Sequence, residues 1–191
     1  IDEAIDFVGA SLYTFSNGFY FSCLSKHAKT VTEIASDILI NPIFPQEELD
    51  KKLKRQRSNL KSLKSNPNAI SSRLEKVLKY GENHPYGEIQ RAEDIDNITV
   101  ELCKQYHDNY FKPNIGYLVI VGDIDLAGAK SLCENYFGSW QKGDVPSHEV
   151  TFPEKPKGVQ VSFVHKPGAV QSLIKVFYPV SFKIGDENTA Q

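Results

Sequence analysis

Apolar residues recur at helical spacing over most of this chain and switch to β-like runs in only three places. Ile1, Ala4, Ile5 and Val8 lie on one helical face and Gly9 follows as a stop, which predicts a helix over 1–8. Ser11–Phe15 and Phe19–Leu24 are β-prone runs around Ser16-Asn17-Gly18, and Asn-Gly in that setting predicts an antiparallel hairpin. From Ala28 to Ile40, Val31, Ile34, Ala35, Ile38 and Leu39 recur at i, i+3, i+4, i+7 and i+8, the stripe of an amphipathic helix that must end before Pro42.

Pro42 and Pro45 reset the chain, and a long helix is expected from Gln46 to Lys64, in the middle of the fold. Leu49, Leu53, Leu60 and Leu63 form its buried stripe, interrupted only by Gln56. Glu47, Glu48 and Asp50 open it and Lys61 and Lys64 close it, an order that complements the helix dipole. Asn66 then caps and Pro67 opens another helix, with Ile70, Leu74, Val77 and Leu78 inward and Gly81 as its stop. His84-Pro85-Tyr86-Gly87 and a loop follow. Thr99 caps a helix with Val100, Cys103, Tyr106 and Tyr110 on one side, which Pro113-Asn114 breaks. The run Ile115–Val121, IGYLVIV, has the composition of a central strand buried on both faces and closed by Gly122-Asp123. A helix is expected from about Leu126 to Phe137, with Leu126, Ala129, Leu132, Cys133, Tyr136 and Phe137 facing in. Three prolines, three glycines and no periodicity make Gly138–Gly158 a linker. Val159–Val164 and Val170–Tyr178 predict a second hairpin around Lys166-Pro167-Gly168. The sum is an α+β fold, an antiparallel sheet with helices packed on one face.

Composition narrows the function. At 191 residues and 40% hydrophobic content there is material for a substantial core, and no stretch reaches the ~18 apolar residues of a membrane span. The chain does not start with Met, so a targeting segment ahead of Ile1 stays open and no compartment is assigned. Lys51, Lys52, Lys54, Arg55, Arg57 and Lys61 make one face of the long helix basic. With a formal net charge of −2 and no interleaved aromatics, that face reads as solvated, and nucleic acid is not expected as a partner. Cys23, Cys103 and Cys133 are odd in number, show no CxxC spacing and fall inside apolar patterns, so they are expected to be small buried hydrophobes. His27, His84, His107, His148 and His165 share no ligand spacing and are expected to be structural or solvent-exposed. Glycine loops for phosphate are absent.

A set of motifs in a fixed order is more specific. Gly9-Ala10-Ser11-Leu12, a hairpin, DILINPIFPQEEL, a long charged helix, Asn66-Pro67, HPYG, YFKPN, a strand ending in Val-Gly-Asp and YFGSW together resemble the insulinase and pitrilysin family of zinc peptidases, the M16 peptidases. The resemblance covers residues 1 to about 140, and 159–191 is similar to the opening strands of the family's next repeat. It implies a peptidase-like domain over 1–140, a linker over 141–158 and a tail hairpin that is a candidate to complete the domain's own sheet. Active members carry His-x-x-Glu-His on a helix, whose histidines bind zinc and whose glutamate activates water, with a third ligand on the long helix. His-x-x-Glu-His is absent here. Aligned on Asn66-Pro67, the third-ligand glutamate falls on Asn59 and an earlier acidic position on Lys52. A neutral amide and an ammonium are poor company for a cation, so no zinc or other cofactor is expected in this stretch. The resemblance therefore implies the non-catalytic half of a clam-shell, with another M16-like domain and unfolded peptide as partners. Two alternatives are a piece of an active zinc endopeptidase whose motif lies upstream, and a structural scaffold subunit. By position, Leu12, Tyr13 and Thr14 correspond to the strand on which family members add peptide; here they form either such an edge or a strand that covers the core, the latter being preferred.

Overall fold

The computed structural model describes residues 1–150 and 157–178. They divide into two compact units, 1–49 with 98–147, and 50–97 with the described part of 148–191.

In the first unit, α1 (Asp2–Phe7) buries Ile5 and ends in a double backbone clasp. Gly9 N–H bonds the Asp6 carbonyl at 3.0 Å and Ala10 N–H the Ile5 carbonyl at 3.1 Å, with Gly9 at φ 62°. That left-handed position is one a side chain would strain, which is why the helix stops at a glycine. β1 (Ser11–Phe15) and β2 (Gly18–Ser22) pair antiparallel with Phe15 opposite Gly18. The loop is thus Ser16-Asn17, one residue earlier than the Asn-Gly signal suggested. A 3₁₀ turn, Ser25–His27, leads into α2 (Ala28–Ile40), whose Val31, Ala35 and Leu39 form the core stripe. α6 (Val100–Tyr110) begins where Thr99 Oγ1 accepts the Leu102 N–H at 3.2 Å, and α7 (Leu126–Phe137) where Asp125 Oδ1 accepts the Gly128 N–H at 2.8 Å. Helices α2 and α7 lie against the hairpin, so the expected architecture of helices on one face of an antiparallel sheet is what forms.

In the second unit, α4 (Pro67–Tyr80) starts at Asn66, whose Oδ1 accepts from the N–H groups of Asn68 and Ala69 at 2.9 and 3.3 Å, and stops at Gly81. A short α5 (Ala92–Asp96) lies where only a loop was expected. Its start is fixed by Asp94 Oδ2 accepting the Arg91 N–H at 2.6 Å, and fully buried Ile95 anchors it. The long α3 (Gln46–Leu63) takes its first residues from the first unit and the rest from the second. Its leucine stripe is shallower than expected: Leu60 is buried, Leu49 and Leu53 are half-buried and Leu63 is exposed. Its basic face is only partly solvated, because Arg57 reaches α5 through Asp96 Oδ1 at 2.9 and 2.7 Å.

Two sequence expectations need correction. Pro113–Ile115 forms a 3₁₀ turn and Ile115–Val121 continues without a strand ladder among the described residues. Tyr117, Val119 and Val121 are 97%, 81% and 92% exposed, so this run is not a strand buried on both faces. A strand's hydrogen bonds are made by its neighbours, and its apolar composition cannot supply them. The second hairpin forms its turn, with Ala169 N–H on the Lys166 carbonyl at 3.3 Å and Gly168 at φ 70°, but its arms carry no ladder. Of the expected tail 159–191, 179–191 lie outside the described residues, as do 151–156 of the linker.

Candidate functional site

The hairpin presents two different faces. Leu12, Thr14, Phe19 and Phe21 share one, by the pairing of Leu12 with Phe21 and Thr14 with Phe19. Phe19 stacks on Phe21 at 6.0 Å and on Phe137 of α7 at 6.2 Å between ring centroids, so this face is fastened to the helices. The opposite face carries Tyr13, Phe15 and Tyr20, at 56%, 58% and 57% exposure, with Tyr13 and Tyr20 stacked at 6.4 Å. Tyr106 of α6 donates its hydroxyl to the Ser16 carbonyl at 3.1 Å and so pins the loop.

β1 has β2 on one side and no strand on the other among the described residues. A two-residue loop makes Phe15 and Gly18 a hydrogen-bonded pair, and alternation then points the N–H and C=O groups of Leu12 and Thr14 away from β2. The sequence reading preferred a covering strand over a peptide edge for Leu12, Tyr13 and Thr14. Tyr13 and Thr14 are exposed and Leu12 is half-buried.

The other position singled out by sequence lies on α3. Lys52 and Asn59 are one heptad apart, about 10 Å along the axis, and both are exposed. Among the described residues no three His, Cys, Asp or Glu side chains gather as a metal would need. An amide and an ammonium do not fit a zinc ion, whose ligands are thiolates, imidazoles and carboxylates. No chemistry through zinc can be derived for these residues.

Two of the histidines, His107 and His84, are held by packing. His107 bonds the Leu39 carbonyl through Nε2 at 2.7 Å and stacks on Phe111 at 5.0 Å. Because Leu39 is in the last turn of α2, the imidazole satisfies a carbonyl that has no partner within its own helix. His84 is buried at its turn, with Nδ1 accepting the Tyr86 N–H at 3.0 Å and the ring stacked on Tyr80 at 5.1 Å. His27 is half-buried, and His148 and His165 are exposed. Cys23, Cys103 and Cys133 are free thiols, half-buried where full burial was expected, and burial pushes the Cys23 thiol pKa up.

Sequence reasoning missed a polar cleft of about 400 Å³ between α2 and α7, lined by Glu33, Asp37, Asn41, Tyr136 and Ser139 among others. Its only signal was the i, i+4 pair Glu33 and Asp37. Asp37 Oδ1 is already engaged by Asn41 Nδ2 at 3.0 Å.

Fold and site together define an α+β domain without a metal cluster among its described residues. Comparison with known proteins makes this specific. The family model described as "Peptidase M16 inactive domain" matches residues 97–189. The zinc protease PqqE of Helicobacter pylori is 28% identical over 109 residues, 54% of this chain and 24% of that protein. Among solved structures, the peptidase M16 inactive domain from Pseudomonas fluorescens superposes with a TM-score of 0.71 at 20% identity, over 82% of this chain and 39% of that one. A protease from Helicobacter pylori gives 0.65 at 16% identity, over 81% and 40%. The chain is thus similar to M16 peptidases, with 97–189 matching the model of their inactive domain, and it spans about a quarter to two-fifths of the length of these relatives.

Proposed function

We propose that this chain is the catalytically inactive half of an M16-type peptidase, which pairs with a zinc-bearing M16-like domain and helps to enclose unfolded peptides. The observation that carries this reading is the match of 97–189 to the inactive-domain family. The chemistry of α3 supports it, because Lys52 and Asn59 stand where the resemblance calls for carboxylates. In this reading the chain contributes shape and a strand edge, Leu12, Tyr13 and Thr14 of β1, to which an extended peptide adds by main-chain hydrogen bonds. Hydrolysis belongs to the partner domain.

The test is to purify the full-length protein with and without a zinc-bearing family member and to follow cleavage of an unstructured peptide. The expected result is cleavage only when both are present, no stoichiometric zinc on this chain, and a stable complex between the two. Cleavage by this chain alone, stopped by a zinc chelator, would overturn the proposal in favour of an active peptidase. A large assembly with no peptidase activity would overturn it in favour of a scaffold.

A further inference from the structure

The outer face of the hairpin is apolar and aromatic where solvent would favour polar side chains. Tyr13, Phe15 and Tyr20 lie together on it, each more than half exposed, and neither Ser11–Phe15 nor Gly18–Ser22 contains a charged residue. This patch directly adjoins the outward N–H and C=O groups of Leu12 and Thr14. It is also held in place: Phe19 is stacked on Phe137 from below, and the Tyr106 hydroxyl bonds the Ser16 carbonyl at the loop. An aromatic surface already ordered loses little conformational freedom when something binds it.

We propose that Tyr13, Phe15 and Tyr20 make this edge selective for extended, uncharged peptides with apolar or aromatic side chains at every second position. The inference rests on the strand-addition reading above and adds the side-chain pattern that the edge accepts. A peptide lying beside β1 has the same rise, so its alternate side chains fall about 6.7 Å apart, in step with Tyr13 and Phe15. Each then sits at cross-strand distance from an aromatic ring, where aromatic and β-branched neighbours attract. A lysine or glutamate at those positions is set on an apolar surface with no opposite charge on either strand to meet it.

The experiment is fluorescence anisotropy of labelled peptides with the full chain, comparing VTFTVTF with its permutation VFVFTTT and with KTKTKTK. VTFTVTF is expected to bind about tenfold more tightly than either. In the Tyr13→Ser/Phe15→Ser variant the three affinities are expected to converge; Tyr20→Ser, one strand further from the edge, lowers the preference by less. Circular dichroism and a thermal melt confirm that each variant folds, and the single Tyr20→Ser change keeps the test informative if the double variant does not. Equal affinities for VTFTVTF and VFVFTTT in the parent protein, or a preference that survives loss of these rings, would overturn the inference. Thr14→Pro separates it from the reading beneath it, because it removes an outward N–H while leaving the β1–β2 ladder intact. Unchanged VTFTVTF binding by Thr14→Pro sinks strand addition itself. Lost binding in Thr14→Pro, together with a preference that persists in Tyr13→Ser/Phe15→Ser, sinks only the selectivity.

Discussion

Thr32 sits fully buried on α2 beside Val31, and its hydroxyl has no hydrogen-bond partner. A β-branched residue at that place fits the helix stripe equally well as valine, so the hydroxyl adds only an unmet desolvation cost, on the order of 1–3 kcal/mol for a buried polar group. Thr32→Val is therefore expected to stabilise the protein by about 1 kcal/mol, read as a rise of a few degrees in melting temperature. A fall in melting temperature would show that the hydroxyl is used. The contrast with His107 is instructive, since that side chain is equally polar but ends on a carbonyl that needs it. Sequence placed His107 among the histidines expected to be structural or solvent-exposed, yet nothing in the local pattern points to Leu39, 68 residues away.

At the scale of elements, the second unit joins the tail segment to α4 through charge. Lys175 Nζ lies 2.7 Å from Glu75 Oε2 and 3.2 Å from Ser72 Oγ, Lys79 bonds the other carboxylate oxygen of Glu75 at 2.5 Å, and Lys79 also sits over the Phe177 ring at 5.2 Å. The hydrogen bonds from Lys175 and then Lys79 hold the Glu75 carboxyl down at about 2 from an ordinary 4.5. A depressed acid binds fewer protons folded than unfolded, so its contribution is complete above about pH 4.5 and vanishes as pH falls towards 2. Glu75→Gln should thus be less stable than the parent near pH 6, with the two melting curves converging by pH 2, and added salt should narrow the gap at pH 6. A gap that is constant with pH would show that the loss is one of shape and not of charge. Helices such as α2, α4, α6 and α7 were legible to within a residue or two because their hydrogen bonds are internal and their caps, Asn66 and Thr99, are local. α5 was not, because five residues carry no period and its anchors, Ile95 and the Asp94 cap, need the surrounding fold to be recognised. The turn of the first hairpin was off by one residue because Asn17-Gly18 can serve several loop geometries, and the ladder with Phe15 opposite Gly18 decides among them.

For the molecule as a whole, the same dependence on partners decides how the exposed run Ile115–Val121 behaves. Its composition fits a strand that is covered on both sides, yet Tyr117, Val119 and Val121 lie open. The candidate peptide edge was legible only as the less favoured alternative, since the side chains of Leu12, Tyr13 and Thr14 suit a covered and an open strand alike. An exposed apolar run without a strand ladder among the described residues is a template for association between chains, and a formal net charge of −2 offers little repulsion to prevent it. The purified chain is accordingly expected to self-associate with rising concentration, as seen by sedimentation velocity. Val119→Lys places a charge in the centre of the open face and should shift the population towards monomer. Gln105→Lys, the same change in charge on the exposed side of α6, should not. If both variants shift the distribution equally, net charge and not the run governs association. If neither does, Ile115–Val121 is not the contact, and its open face has another cause.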